Sequence, residues 1–212
     1  MDFAAARAEL LKQLSPGIRD KRVLEAMSRV PRECFVAPEM RQFAYEDRPL
    51  PIGFGQTISQ PFIIALMTEA LGLSGQEKVL EVGAGSGYQA AILAELARQV
   101  ITVERLPAMA KSAQEVLNSL GYGNVSVYVG QKTLGWPAEA PYDAIIVTAA
   151  APRVPDSLLD QLRVGGRLVI PVGSRYDQDL YKITKRRKRN IVHNLGGCRF
   201  VPLIGEGAWE EE

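Results

Sequence analysis

The chain has 212 residues, 47 % of them hydrophobic, and its 25 basic side chains nearly balance 24 acidic ones for a formal net charge of +1. That length can bury one substantial core and is short for two, so a single domain over residues 1–212 is expected. Residues 1–75 should be helices and a loop, and residues 76–212 a sheet core. The balanced charge excludes a global field that would gather nucleic acid or an anionic membrane, so partners must be chosen by local sites.

Cys34 and Cys198 stand far apart, outside any C-x-x-C or Cys/His spacing, which argues against a disulfide framework or a metal site. The first residues lack the basic-then-apolar order of a secretory signal, and no apolar run approaches the roughly 20 residues of a membrane span. A cytoplasmic, monomeric protein without membrane or nucleic-acid partners is expected.

In chain order, apolar residues recur at helical spacing over residues 3–14 and 21–30. Residues 48–61 carry Pro49, Pro51, Gly53 and Gly55, which exclude a regular helix or a central strand and predict an irregular loop. Pro61 suits the first position of a helix over residues 61–71, because its fixed φ fits there and its missing donor would be unpaired anyway. Strand and helix then alternate: strand 78–82, helix 88–97, strand 100–104, helix 107–120, strand 125–129. Further strands are expected at 144–148 and 167–172, with a helix at 155–162 closed by Val164-Gly165-Gly166. Such alternation requires crossovers and a parallel sheet, and the nearly continuous apolar strands predict that both faces are covered. Leu180 to Thr184 and Cys198 to Val201 read as antiparallel strands finishing the sheet.

The turn after residue 82 reads Gly83-Ala84-Gly85-Ser86-Gly87, and the next strand ends in Glu104. Glycines there let the backbone approach a ligand without a Cβ in the way, and an acid at that distance can accept hydrogen bonds from a ribose diol. An acid at a strand end is also commonly an ordinary solvated group. Tyr88 stands where a dinucleotide fingerprint wants its third glycine, and no Lys or Arg in the turn faces a phosphate. A nucleoside cofactor without phosphate, such as S-adenosylmethionine, fits better than NAD. In an open parallel sheet the ligand crevice lies at the strands' carboxyl ends, which would bring together the glycine turn, Glu104, Gly130-Gln131 and Thr148-Ala149.

Several segments in one order, among them PLPIGFG and QTISQP over residues 49–61, VLEVGAGSG over 79–87, APYDAIIVTAAAP over 140–152 and GGRLVIPVG over 165–173, resemble the protein-L-isoaspartate O-methyltransferase family. The resemblance covers nearly the whole chain. It implies a doubly wound, Rossmann-like class I methyltransferase α/β sandwich with N-terminal helices and a C-terminal antiparallel strand pair. The implied activity is methylation of L-isoaspartyl carboxylates in damaged proteins and peptides with S-adenosylmethionine, as a first step toward repair through a succinimide.

Carried onto this chain, the resemblance makes Ser59 the catalytic residue. It places Gln56, Thr57, Ile58, Ser59, Glu81, Gly83, Gly85, Gly87, Glu104, Gln131 and Lys132 at the cofactor. Read without it, Ser59 two residues before a helix-opening proline is a capping or turn residue, while Glu81, inside an apolar strand, is a costly carboxylate needing a partner. One departure stands out: the family's Gly-Asp-Gly after the third strand is here Gly130-Gln131-Lys132.

Other features carry less. The single histidine, His193, falls in a C-terminal strand or hairpin, and Ser86 lacks the G-x-S-x-G frame of a hydrolase nucleophile. Tyr128-x-x-x-Lys132 imitates a dehydrogenase pair, but the tyrosine lies in a β pattern and the lysine beyond a glycine. The run Lys185 to Arg189 reads as a solvated hairpin tip. Rival functions are a methyltransferase acting on another peptide carboxylate, a nicotinamide oxidoreductase, or a non-catalytic nucleoside-binding domain.

Overall fold

The computed structural model describes residues 2–210. Two helices, α1 (Phe3–Leu14) and α2 (Lys21–Arg29), open the chain; Asp2 and Asp20 cap them by accepting from Ala5 and Arg22 backbone N–H. A hairpin follows, β1 (Leu50–Gly53) paired antiparallel with β2 (Gln56–Ile58). The expectation of an irregular loop at 48–61 is therefore corrected. Prolines bar a central strand, yet a detached two-stranded ribbon tolerates Pro51 at its edge, opposite Thr57. Its turn needs Gly53, Phe54 and Gly55, all at positive φ. Helix α3 (Pro61–Leu71) then begins on its proline and stops at Gly72, which is left-handed.

The core repeats strand and helix through β3 (Lys78–Val82), α4 (Tyr88–Ala94), β4 (Gln99–Glu104), α5 (Pro107–Ser119) and β5 (Val125–Val129). The chain next crosses the sheet to β6 (Tyr142–Val147), followed by α6 (Asp156–Asp160), β7 (Leu162–Gly173), β8 (Gln178–Thr184) and β9 (Ile191–Cys198). The sheet order is β5-β4-β3-β6-β7-β8-β9, parallel from β5 to β7 and antiparallel beyond. This is the doubly wound sandwich with its antiparallel pair. Alternate strand residues split between two buried clusters: Val79, Val100, Ala144 and Ile146 pack toward α1 to α4, while Leu80, Ile101, Ile145 and Leu168 pack toward α6.

Two late boundaries differ from expectation. Helix α6 ends at Asp160, and residues 164–166, expected to close it, lie inside the long β7, where the register against β6 shifts and Gly165 takes a positive φ. The strand expected at 198–201 instead runs from Ile191 to Cys198. β9 is an edge strand with most residues exposed, so it lacks the buried alternation that marks a strand in sequence. Residues 186–189 are the exposed tip before β9, but Lys185 is not solvated with them: its ammonium donates to the Leu159 and Leu162 carbonyls at 2.6 and 2.7 Å. Among the described residues no helix is long and apolar enough to cross a membrane.

Candidate active site

After β5 the chain crosses back to β6, so the strands on either side of β3 and β6 are wound in opposite senses and a crevice opens at their carboxyl ends. A cavity of about 540 Å³ occupies it. Gln56, Thr57, Ile58, Ser59, Glu81, Gly83, Gly85, Glu104, Gln131 and Lys132 all border it, as do Thr148, Ala149 and residues 200–205. Gly87 does not. Its φ is 89°, and a Cβ there would lie 3.3 Å from Leu117 of α5, so glycine lets α4 start close against α5.

The glycine turn is suspended from the neighbouring strand. Gly83 N–H donates to the Val103 carbonyl at 2.8 Å, and Gly85 N–H to Glu104 Oε2 at 2.9 Å. The other Glu104 oxygen accepts from Leu106 N–H at 3.0 Å. Each carboxylate oxygen has two acceptor positions, so Glu104 holds the turn and still offers a lone pair per oxygen to a diol. It is 7 % exposed, which sets aside the solvated-acid reading. Gly83 cannot be replaced cheaply, because at its φ of 101° a Cβ would stand 2.4 Å from Thr148 Oγ1. That hydroxyl donates to the Gly83 carbonyl, tying β6 to the turn.

Beneath the turn, Glu81 is fully buried, and Thr102 Oγ1 donates to its Oε2 at 2.5 Å. Burial, with a smaller push from Glu104 and against the Thr102 hydrogen bond, raises its pKa from 4.5 to about 8. Its Oε1 has no hydrogen-bond partner.

Ser59 stands on the opposite wall. The capping role that sequence allows it is taken by another residue: Asp47 Oδ1 accepts from Phe62 N–H at 2.8 Å, and its Oδ2 accepts from the Gln60 side chain at 2.9 Å. The Ser59 hydroxyl has no partner among the described residues. Its carbonyl accepts from Arg32 Nη2 at 2.8 Å, while Arg32 Nε reaches the Ala44 carbonyl at 2.8 Å. Arg32 is wholly buried with its guanidinium 4.8 Å from the Tyr88 ring centre, and burial lowers its pKa. Farther out, Tyr45 takes a hydrogen bond from Arg7 and gives one to Glu33, pinning α1 to the segment that carries Asp47.

The third wall, residues 130–136, is held from behind by Gln161. This buried amide donates to the Leu134 carbonyl and accepts from Trp136 N–H, both at 2.8 Å. Gln131 and Lys132 are themselves exposed at the rim. Tyr128 stacks on Trp136 and donates to Glu139, which leaves no dehydrogenase pair with Lys132. His193 lies exposed on β9. Among the described residues no cluster of three metal-ligating side chains exists.

Arg32 and Gln161 went unnoticed in the sequence. Each acts through hydrogen bonds to residues distant in the chain, which no local pattern reports. The cavity suits S-adenosylmethionine: Glu104 keeps lone pairs for the ribose diol, the glycine turn presents backbone along the crevice, and Glu81 Oε1 is buried without a protein partner.

A family model described as protein-L-isoaspartate(D-aspartate) O-methyltransferase matches residues 5–208. A protein-L-isoaspartate O-methyltransferase of Geobacter metallireducens is 54 % identical over 215 residues, covering 100 % of both chains. Among solved structures, one titled protein-L-isoaspartate O-methyltransferase superposes with a TM-score of 0.85 at 30 % identity, over 95 % of this chain and 67 % of that one. A Plasmodium falciparum protein assigned to the same enzyme, in complex with S-adenosyl-L-homocysteine, gives 0.79 at 28 % identity, over 91 % of this chain and 95 % of its own.

Proposed function

From the premise that the chain belongs to the protein-L-isoaspartate O-methyltransferase family, we propose that Ser59 orients the substrate carboxylate over a cofactor held by the glycine turn and Glu104. The protein is an S-adenosylmethionine-dependent methyltransferase that acts on the free α-carboxylate of L-isoaspartyl residues. The assignment of roles rests on one observation: a single cavity brings the unengaged Ser59 hydroxyl together with the glycine turn and Glu104.

When bound, S-adenosylmethionine supplies a methyl group activated by its sulfonium. Glu104 and the turn's backbone hold the nucleoside, with Gln56, Thr57 and Ile58 above it and Gln131 and Lys132 at the rim. The substrate carboxylate is already ionised at neutral pH, so no side chain has to remove a proton to create the nucleophile. Ser59 donates a hydrogen bond to one carboxylate oxygen and leaves the other free to attack, while Arg32 fixes the serine's backbone. The hairpin above keeps water from the attacking oxygen. Once the ester has formed, the following backbone nitrogen displaces methanol and closes the succinimide, whose hydrolysis returns part of the material to normal aspartate.

The balanced charge and unpaired cysteines support a cytoplasmic protein acting as a monomer on polypeptides, without nucleic acid. Labelled methyl transfer to two peptides differing only in one isoaspartyl or aspartyl linkage tests the reading. Methylation of the isoaspartyl peptide alone is expected; equal labelling of both, or labelling of the aspartyl peptide only, sinks it.

A further inference from the structure

The central sheet ends on an open edge, because β9 is last in the strand order and pairs only with β8. Unpaired N–H and C=O groups on an edge accept another strand, and native proteins guard them with charge, proline or a bulge. From Ile191 to Cys198 there is no acid, lysine, arginine or proline. The bulge lies late, where Asp179 and Tyr181 of β8 face Gly197 and Asn194. Ile191 to Asn194 is therefore a regular edge, with Ile191 42 % and Val192 56 % exposed.

Immediately before that edge stands the tip Arg186-Arg187-Lys188-Arg189, with all four residues exposed and, among the described residues, in no ion pair. Val164 of β7, 53 % exposed, adjoins it, since Gly165 N–H donates to the Lys185 carbonyl at 2.8 Å. A free strand edge beside concentrated positive charge suits an extended, acidic polypeptide. A second copy of this chain does not fit: antiparallel pairing through β9 would set each tip against the other's exposed Arg199, cation against cation. At its far end β9 leads through Arg199 into residues 200–205, which border the cavity that holds Ser59. One extended chain lying along β9 thus has one end at the basic tip and the other at the cavity. At about 3.3 Å per residue, roughly ten residues span that path.

We propose that β9 and its basic tip form an exosite for the polypeptide substrate itself, which pairs with Ile191 to Asn194 and places acidic side chains against Arg186 to Arg189. The inference rests on the isoaspartyl reading given above. Antiparallel addition continues the pairing of β7, β8 and β9 and is the more stable mode. The substrate then runs from cavity to tip, and its acidic block lies roughly ten residues to the carboxyl side of the isoaspartyl linkage.

Initial-rate kinetics on the whole protein test this with four peptides that each carry one isoaspartyl linkage. The first is short; the second and third extend it toward the carboxyl end and carry, roughly ten residues away, a block of glutamates or of glutamines. The fourth has the glutamates adjoining the linkage. The wild type should show a KM for the distant-glutamate peptide about fivefold below the other three at equal kcat, an advantage that fades as salt screens it. Arg186→Gln, Arg187→Gln, Lys188→Gln and Arg189→Gln combined should abolish the advantage and leave the short peptide unaffected. Val192→Asp, which sets an acid on the edge without touching the tip, should raise KM for the distant-glutamate peptide and again spare the short one. Equal KM for all four peptides, an advantage that survives the quadruple variant, or the same advantage when the glutamates adjoin the linkage would overturn the exosite. So would tighter binding of single-stranded RNA than of the distant-glutamate peptide, lost in the quadruple variant, which would make the tip a nucleic-acid surface. Failure of the wild type to methylate the short peptide would instead sink the isoaspartyl reading.

Discussion

The glycine turn and the 50–58 hairpin face each other across one cavity and are held by different means. The turn continues β3, a strand paired on both sides, and its own N–H groups bond to Val103 and Glu104. The hairpin pairs only with itself. Its attachment runs through Leu50 and Ile58 in the core, the Arg32 clamp on Ser59, and Asp47 at the start of α3. Its tip is Phe54, 67 % exposed, at a φ of 51° that a bulky side chain rarely adopts. Elements with few buried contacts open at lower free energy than core strands, so the cofactor side belongs to the global fold and the hairpin can move without unfolding it. Damage to the first should appear as lost stability, and damage to the second as lost turnover.

The largest effect should follow Gly83→Val, which puts a branched side chain at a φ of 101° and 2.4 Å from Thr148 Oγ1. Strain and overpacking of that kind cost about 3 to 4 kcal/mol together, or roughly 10 °C in melting temperature for a chain of this size. Thermal unfolding without ligand measures it. An unchanged melting temperature with lost cofactor binding would make the turn a ligand element only, and the contrast between the two sides would fail.

Glu81 sharpens the same side through pH. Its folded pKa of about 8 lies above 4.5, so between those values the native state keeps a proton that the unfolded chain releases. Stability must then fall as pH rises through that window, by an amount on the order of a few kcal/mol. The groups that set the shift are buried around it: Thr102 bonds one oxygen, and Glu104 opposes ionisation. Glu81→Gln removes the titration, so its melting temperature should vary less between pH 5 and pH 8 than that of the wild type. Parallel curves for the two proteins would show that Glu81 ionises normally.

On the hairpin side, Ser59→Ala should leave the melting temperature and S-adenosylhomocysteine affinity unchanged and lower kcat. A lost hydrogen bond to a charged group is worth about 1.5 to 3 kcal/mol, or roughly tenfold to a hundredfold in rate. Wild-type turnover would reduce Ser59 to a turn residue.

The same contrast explains what the sequence disclosed. The glycine turn, the strand ends and Glu104 were legible because parallel strands leave continuous apolar runs and the turn needs glycine at fixed spacing. The hairpin was legible as a motif but not as a structure, since Pro49 and Pro51 mask short strands that pair only with each other. Its supports were hidden for a different reason: Arg32 acts on a carbonyl 27 positions away, and Gln161 holds a wall 27 positions behind it, where propensity and period carry no information. β9 was misplaced because an exposed edge strand has no buried face to alternate with.

The smallest effect belongs to the rim where the two sides meet. The resemblance implies Asp-Gly where this chain has Gln131-Lys132, and implies that the aspartate would accept from the adenine amino group. Both side chains here are exposed, and the loop is held by its backbone, since Glu206 N–H donates to the Lys132 carbonyl at 3.1 Å and Gln161 anchors Leu134. Changing the two side chains should therefore alter the ligand contact and leave the wall in place. Gln131 can still offer a neutral amide oxygen, but without charge assistance, and Lys132 adds a long side chain at the adenine edge. Gln131→Asp with Lys132→Gly should tighten S-adenosylmethionine binding by about 1 kcal/mol, or several-fold in Kd, at unchanged melting temperature. Tighter binding would place adenine at this rim and make it a third, independently tunable part of the site. Unchanged or weaker binding would mean that this chain holds adenine elsewhere on the wall, through the backbone that Gln161 and Glu206 keep in position.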